Sequence, residues 1–307
     1  MARKRARNRH PAHPANLPVW LGLALLVPLA QLPWHWLLGL GRGLGRMSWH
    51  LARQRRHIAE TNIRLCFPEL EADEQQRLAR ESVISAGVAT MEIVGVYFRG
   101  RLRLASRMEV EGLEHLQQAR RQGRGVLLLG MHFTSLEVAG YLLSTIAPYG
   151  AVYRPNDNPL LDRIIRRGRA RHVSYYIDRS DLRGLVRHLR QGDIVWYAPD
   201  QDYGRKHSVY APFFGVPAAT ITATARIARL SASPVVPMAY YRLPKGRYRL
   251  AFQPALGNFP SGNDQDDAAR INHIIEQAVR QAPEQYLWVH RRFKHQPDNS
   301  APYKEYS

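Results

Sequence analysis

From Met108 onward, short uninterrupted apolar runs alternate with segments of helical period, and this alternation restricts the fold more than any other feature. "MEVEG" precedes "LEHLQQARRQ", a Gly-bounded "GVLLLGMH" precedes a helix from about Glu137, and "GAVYRP" precedes "PLLDRIIRRGRAR". The pattern continues through "VSYYI", "LRGLVRHLRQG", "DIVWYAPD", "TITATARIARLS", "PVVPMAYY" and "YRLAFQ". Strands that are apolar on both faces must be covered on both, so the expected fold class is α/β, a mixed sheet covered by helices. With 307 residues, 45% of them hydrophobic, the chain has material for a sizeable core.

The region before this pattern divides by composition. Residues 1–16, "MARKRARNRHPAHPAN", are basic and poor in large apolar groups, so a flexible tail is expected. Residues 17–41 contain no Asp, Glu, Lys or Arg, and as one helix they are long enough to cross a hydrocarbon core of about 30 Å. A membrane anchor is the expectation, with Pro28 and Pro33 leaving a kinked or re-entrant insertion beside a straight span and Trp34 and Trp36 as interfacial anchors. Basic residues flank it on both sides (Arg3, Lys4, Arg5, Arg7 and Arg9; Arg42, Arg46, Arg53, Arg55 and Arg56), so charge gives no orientation. Residues 42–107 form a helical preface of two helices split at Pro68, and residues 108–307 form the α/β domain.

A formal net charge of +19 points to anionic partners: nucleic acid, a phospholipid surface, an acidic protein or a phosphorylated ligand. The single cysteine, Cys66, excludes an internal disulfide and any CxxC site; before Pro68 it suits a packed thiol at a helix end.

Two ionisable side chains interrupt the apolar stretch "LLLGMHFTSLEVAGYLL". His132 falls at the C-terminal end of a strand and Glu137 in the first turn of the next helix, where open α/β sheets present catalytic groups. A neutral imidazole can take the proton of an attacking hydroxyl, and a carboxylate on its other nitrogen fixes the tautomer. On one continuous helix the two would diverge by about 140°, whereas across a strand–helix junction they can face each other. The competing reading is a capping box, because Thr134 and Glu137 have the [ST]xxE spacing.

"GMHFTSLE" resembles the HxxxxD/E box of glycerolipid-type acyltransferases. With "YRPNDNPLLDRIIRRGRAR", "WYAPDQDYGRKHSVYAPFFGVPAAT", "APEQYLWVHRRFK" and the preface "RRHIAETNIRLCFPEL", nearly the whole chain after the tail resembles the late acyltransferases of lipid A biosynthesis. "PDQDYG" is most similar to the lauroyl or palmitoleoyl branch. The resemblance implies transfer of a fatty acyl group from acyl carrier protein to a hydroxyacyl chain of a Kdo-bearing tetra-acyl lipid A precursor, at the cytoplasmic face of a bacterial inner membrane. It implies a glycerolipid-acyltransferase-like domain, His132 as general base with Glu137 orienting it, and substrate binding by Arg169 and Asp200; Arg154, in "YRPNDN", is a further substrate-binding candidate because a guanidinium suits sugar phosphates and carboxylates. The partners implied are acyl carrier protein, lipid A precursor and membrane phospholipid; no cofactor and no nucleic acid are expected.

Two other readings compete. Asp200 and Asp202 form a DxD pair such as metal-dependent glycosyltransferases use to hold a nucleotide-sugar diphosphate, but that leaves His132 and Glu137 idle. A basic membrane-tethered nucleic-acid binder rests on charge alone, without zinc-finger spacing, an RNP-like motif or a Walker A loop.

Overall fold

The structure is a computed structural model in which residues 17–100 and 102–303 are described; the basic tail lies outside them. Among the described residues there are nine strands: β1 (Met108–Glu111), β2 (Val126–Leu129), β3 (Gly150–Tyr153), β4 (Tyr175–Asp178), β5 (Ile194–Tyr197), β6 (Ser208–Phe213), β7 (Val216–Ile221), β8 (Val235–Leu243) and β9 (Arg247–Phe252). Seven of them build one sheet in the order β1-β9-β8-β2-β5-β3-β4, parallel throughout except for the β8–β9 pair. The mixed α/β class expected from the alternation is the one observed. The short antiparallel β6–β7 ribbon was not anticipated: β7 takes Thr220 and Ile221 from a stretch expected to be helical throughout.

The helices are α1 (Leu17–Ala30), α2 (Trp34–Leu51), α3 (Arg53–Cys66), α4 (Ala72–Phe98), α5 (Leu113–Arg120), α6 (Leu136–Ser144), α7 (Pro159–Arg169), α8 (Leu182–Arg190), α9 (Ala223–Ser231) and α10 (Asp264–Gln281). Helix α3 ends at Cys66, whose thiol is buried, and α4 begins beyond Pro68, as the sequence indicates. Strand β2 is buried at all four positions, which explains its unbroken apolar sequence.

Residues 17–41 do not form one straight helix. The chain breaks at Gln31–Pro33, where Gln31 donates to the Phe98 carbonyl and Arg99 donates to those of Gln31 and Leu32. At 1.5 Å per residue the 14 residues of α1 rise about 21 Å, short of a bilayer core. Among the described residues, the helix with the length and apolarity of a span is α4, and two thirds of its apolar window is buried, as befits a core helix.

Helix α4 is the spine between the N-terminal helices and the sheet. Gly41 and Gly45 of α2 press on Val88, Ile84 and Gly87 of α4; a Cβ on Gly45 would lie 2.4 Å from the Ile84 Cα, and one on Gly87 2.4 Å from the Gly45 nitrogen. Backbones this close require glycine at the seam. On its other side, α4 buries Glu92, which takes two hydrogen bonds from Arg242 of β8 (both 2.7 Å) and one from the Tyr248 hydroxyl of β9 (2.5 Å). An ion pair this deep demands that its lone pairs be filled, and Tyr248 fills one.

Candidate active site

Strand register sets the centre of the site. Strands β2 and β5 are parallel neighbours with Leu129 opposite Tyr197. Three residues further on in each strand's exit stand His132 and Asp200, at the C-terminal edge of the sheet. Gly130 lets the chain turn there, because any Cβ would run into the Trp196 indole 2.2 Å away.

Asp200 grips His132 with both oxygens. Oδ2 accepts the His132 backbone N–H (2.7 Å), and Oδ1 lies 2.5 Å from the ring Nδ1. The Tyr286 hydroxyl also donates to Oδ2 (3.0 Å). Burial alone would raise the carboxyl, but the His132 charge and these hydrogen bonds outweigh it and hold Asp200 below the ordinary carboxylate range. With a carboxylate accepting at Nδ1, the ring proton sits on Nδ1 and Nε2 is left as the basic atom. The Asp200 side chain is 0% exposed while that of His132 keeps 23%, so the pair is supported from behind and open in front.

The carboxylate on His132 is therefore Asp200, 68 residues away, where Glu137 was expected. Glu137 turns to Arg169 instead, accepting from Nε on both oxygens (2.9 and 3.1 Å) and from Nη2. The capping box is not formed either: the Thr134 hydroxyl pairs with Ser85 of α4 (2.8 Å), and α6 has no side-chain cap. A buried carboxylate takes the strongest donor within reach, and a bidentate guanidinium exceeds a backbone amide. Burial opposes the charge on Arg169, yet Glu137 more than compensates and raises its pKa. The same burial pushes His172, which faces this pair, down to about 4, so it is neutral in the folded protein at pH 7.

Arg154 is brought to the same cavity but not to the same network, being exposed and 3.7 Å from Asp157. Sequence reasoning assigned no role to Tyr286 or His290. The segment that carries them is held by Asn62 of α3, which donates to the carbonyls of Trp288 (2.6 Å) and His290 (2.7 Å). Behind it Arg292 is 2% exposed and donates to the Ala219 carbonyl, Thr220 and Asn272. His290 accepts the Asp202 N–H at Nε2 (3.2 Å), and burial, aided by the charge on His132, lowers its pKa to about 4. Asp202 itself turns away from Asp200 to His295, so the two carboxylates of the DxD pair serve different histidines.

A cavity of about 970 Å³ opens in front of His132 Nε2. Leu136, Leu143, Ala151, Val173, Leu185 and Ile227 give it an apolar interior. Six cations also line it (Arg154, Arg169, Arg179, Lys206, Arg226 and Lys294) against two carboxylates, Glu137 and Asp202, each already paired. An imidazole held at Nδ1 beside a cavity lined by both apolar and cationic side chains suits chemistry on a lipid that carries negative charge.

A family model of bacterial lipid A biosynthesis acyltransferases matches residues 5–295. The chain is 39% identical over 288 residues to the lipid A biosynthesis lauroyltransferase of Escherichia coli strain K12, covering 93% of this chain and 94% of that one. It is 40% identical over 287 residues to the lipid A biosynthesis palmitoleoyltransferase of the same strain, with the same coverage, and 28% identical over 296 residues to its myristoyltransferase, covering 95% of this chain and 92% of that one. The protein belongs to the lipid A biosynthesis acyltransferase family and is an acyltransferase.

Proposed function

We propose that this enzyme moves a fatty acyl chain from acyl carrier protein to a hydroxyacyl chain of a Kdo-bearing tetra-acyl lipid A precursor. The observation that carries the reading is the His132–Asp200 pair, with Nε2 presented to a cavity that is apolar inside and cationic in its lining. His132 Nε2 takes the proton of the acceptor hydroxyl as its oxygen attacks the thioester carbonyl. Asp200 stabilises the imidazolium, and Tyr286 holds Asp200. The tetrahedral intermediate collapses with loss of the carrier thiolate, which takes the proton back from Nε2. Glu137 occupies Nε and Nη2 of Arg169, which leaves Nη1 as the donor we assign to the oxyanion. Arg154, further out along the cavity, is assigned to an anionic group of the substrate.

Greater identity to the lauroyl- and palmitoleoyltransferases than to the myristoyltransferase supports the branch that adds the first secondary chain. Eight of the eleven exposed large hydrophobic side chains among the described residues lie between Leu17 and Leu51, and they support seating on the inner membrane through α1 and α2. In this arrangement the cavity opens to the cytoplasm, where acidic carrier protein meets a cationic surface. Purified enzyme supplied with a panel of acyl carrier protein thioesters and tetra-acyl precursor should give a product heavier by one acyl group. Failure to acylate that precursor with any donor of the panel would end the reading.

A further inference from the structure

The loop after β5 carries two carboxylates, and both are used in the same way. Asp200 grips His132 through its backbone N–H and ring Nδ1. Two residues on, Asp202 accepts the backbone N–H of His295 on Oδ2 (2.9 Å) and meets its ring Nδ1 with Oδ1 (2.7 Å). The Gly204 N–H adds a third bond, to Oδ1 (2.8 Å). The Asp202 side chain is 1% exposed, whereas that of His295 keeps 31%. Acyl transfer at His132 consumes one base, so nothing in the reaction accounts for a second histidine built alike.

His295 lines the same cavity as His132, together with Lys206 and Lys294. Because Asp202 is the acceptor at Nδ1, the atom of His295 left for a ligand is Nε2. We propose that His295, positioned by Asp202 and assisted by Lys206 and Lys294, binds a phosphate monoester, and that this group belongs to the headgroup of the acceptor lipid.

The chemistry favours a monoester over other anions. Its second ionisation falls near pH 6, so around neutrality part of it keeps a P–OH beside its accepting oxygens. That P–OH can donate to Nε2, the ring nitrogen of His295 that Asp202 does not hold, across a single N···O contact. A phosphodiester has no such proton and can only accept. The lysines supply the remaining charge, and a phosphate in this cavity meets no unpaired carboxylate among the described lining residues.

The inference takes its acceptor from the proposed function, but recognition of phosphate can be measured apart from turnover. The full chain, carrying histidine labelled with ¹³C at Cε1, is titrated with methyl phosphate and, separately, with dimethyl phosphate, the latter standing for the diester of a carrier arm. The resonance missing from His295→Gln should move with methyl phosphate and stay in place with dimethyl phosphate. In turnover, His295→Gln should raise KM for the phosphorylated acceptor about tenfold, as expected for one charge-assisted hydrogen bond, with kcat within about twofold. With phosphatase-treated acceptor the variant and the parent should share one KM. No shift with methyl phosphate, an equal shift with dimethyl phosphate, or a loss in kcat without a change in KM would each overturn the proposal. A methyl phosphate response in an enzyme that acylates no lipid A precursor would keep the phosphate site and remove only the acceptor assigned to it.

Discussion

Asp200 holds the His132 ring nitrogen with one carboxylate oxygen and the His132 backbone with the other. The imidazole can neither rotate nor change tautomer without breaking a bond to a buried carboxylate. The arrangement fixes the imidazole in place, and it leaves Asp200 and Glu137 with different partners.

Asp200→Asn and His132→Ala should therefore be the most damaging substitutions, each lowering turnover by about 10²–10⁴ with the fold retained. Glu137→Gln leaves the His132–Asp200 pair intact and should cost much less, on the order of tenfold through Arg169. Steady-state rates on folded variants decide the matter. Equal and severe losses for Glu137→Gln and Asp200→Asn would return the orienting role to Glu137.

Arg169 and Glu137 should reveal themselves as a buried ion pair in stability as well as in rate. Arg169→Met strands a carboxylate that is 9% exposed, and urea unfolding should show a loss of about 3–5 kcal/mol. Pairing that change with Glu137→Gln removes the stranded charge, so the double variant should recover much of the loss. Strictly additive losses would argue against the pair.

Acid should destabilise the protein over a defined window. His172 and His290 have folded pKa values lowered to about 4 against 6.5 for the ordinary side chain, so between these values the unfolded chain binds more protons than the native one. Stability must then rise with pH across that interval and fall as pH drops from 6.5 to 4, by up to about 3 kcal/mol for each histidine. Asp200, held below the ordinary carboxylate range, contributes its loss only at lower pH. Urea midpoints between pH 7 and pH 4 should show a shallower slope for His172→Gln than for the parent. An unchanged slope would mean that His172 titrates freely.

Seating on a bilayer should depend on apolar contact more than on charge. Leu25 and Leu40 are 69% and 45% exposed, and replacing both with Glu should release most of the protein from flotation with phospholipid vesicles. One molar salt, which shortens the Debye length to about 3 Å, should leave the unaltered protein bound while slowing its reaction with acyl carrier protein. Complete release by salt would make the association electrostatic.

The strands of the main sheet were legible because buried parallel strands leave unbroken apolar runs between helices. The β6–β7 ribbon was not: its strands are short and mixed, each is interrupted by a proline (Pro212 and Pro217), and neither period stands out. At the site, the strand–helix junction pointed to His132 and Glu137, but local spacing says nothing about which carboxylate comes alongside from another strand. That choice was made by the Leu129–Tyr197 register, which no single stretch of sequence carries. Tyr286 and His290 were hidden for a different reason. They lie in a segment without regular structure, placed by Asn62 from more than 200 residues away.

The bare contact between Gly45 and Gly87 makes the N-terminal helices and the spine of the enzyme a single lever. Ser85 and Glu92 sit on that spine and hold Thr134 beside His132 and Arg242 on the sheet, so among the described residues the N-terminal helices are braced directly against the His132 loop and the sheet. With α1 and α2 seated on lipid as proposed, a change in bilayer thickness or curvature would reach His132 as a rotation of the whole body relative to the lipid plane. For an engineer, the N-terminal helices are then not an interchangeable handle. A substitute would have to offer the same smooth groove to α4, or the cavity would lose the orientation that Gly45 and Gly87 set.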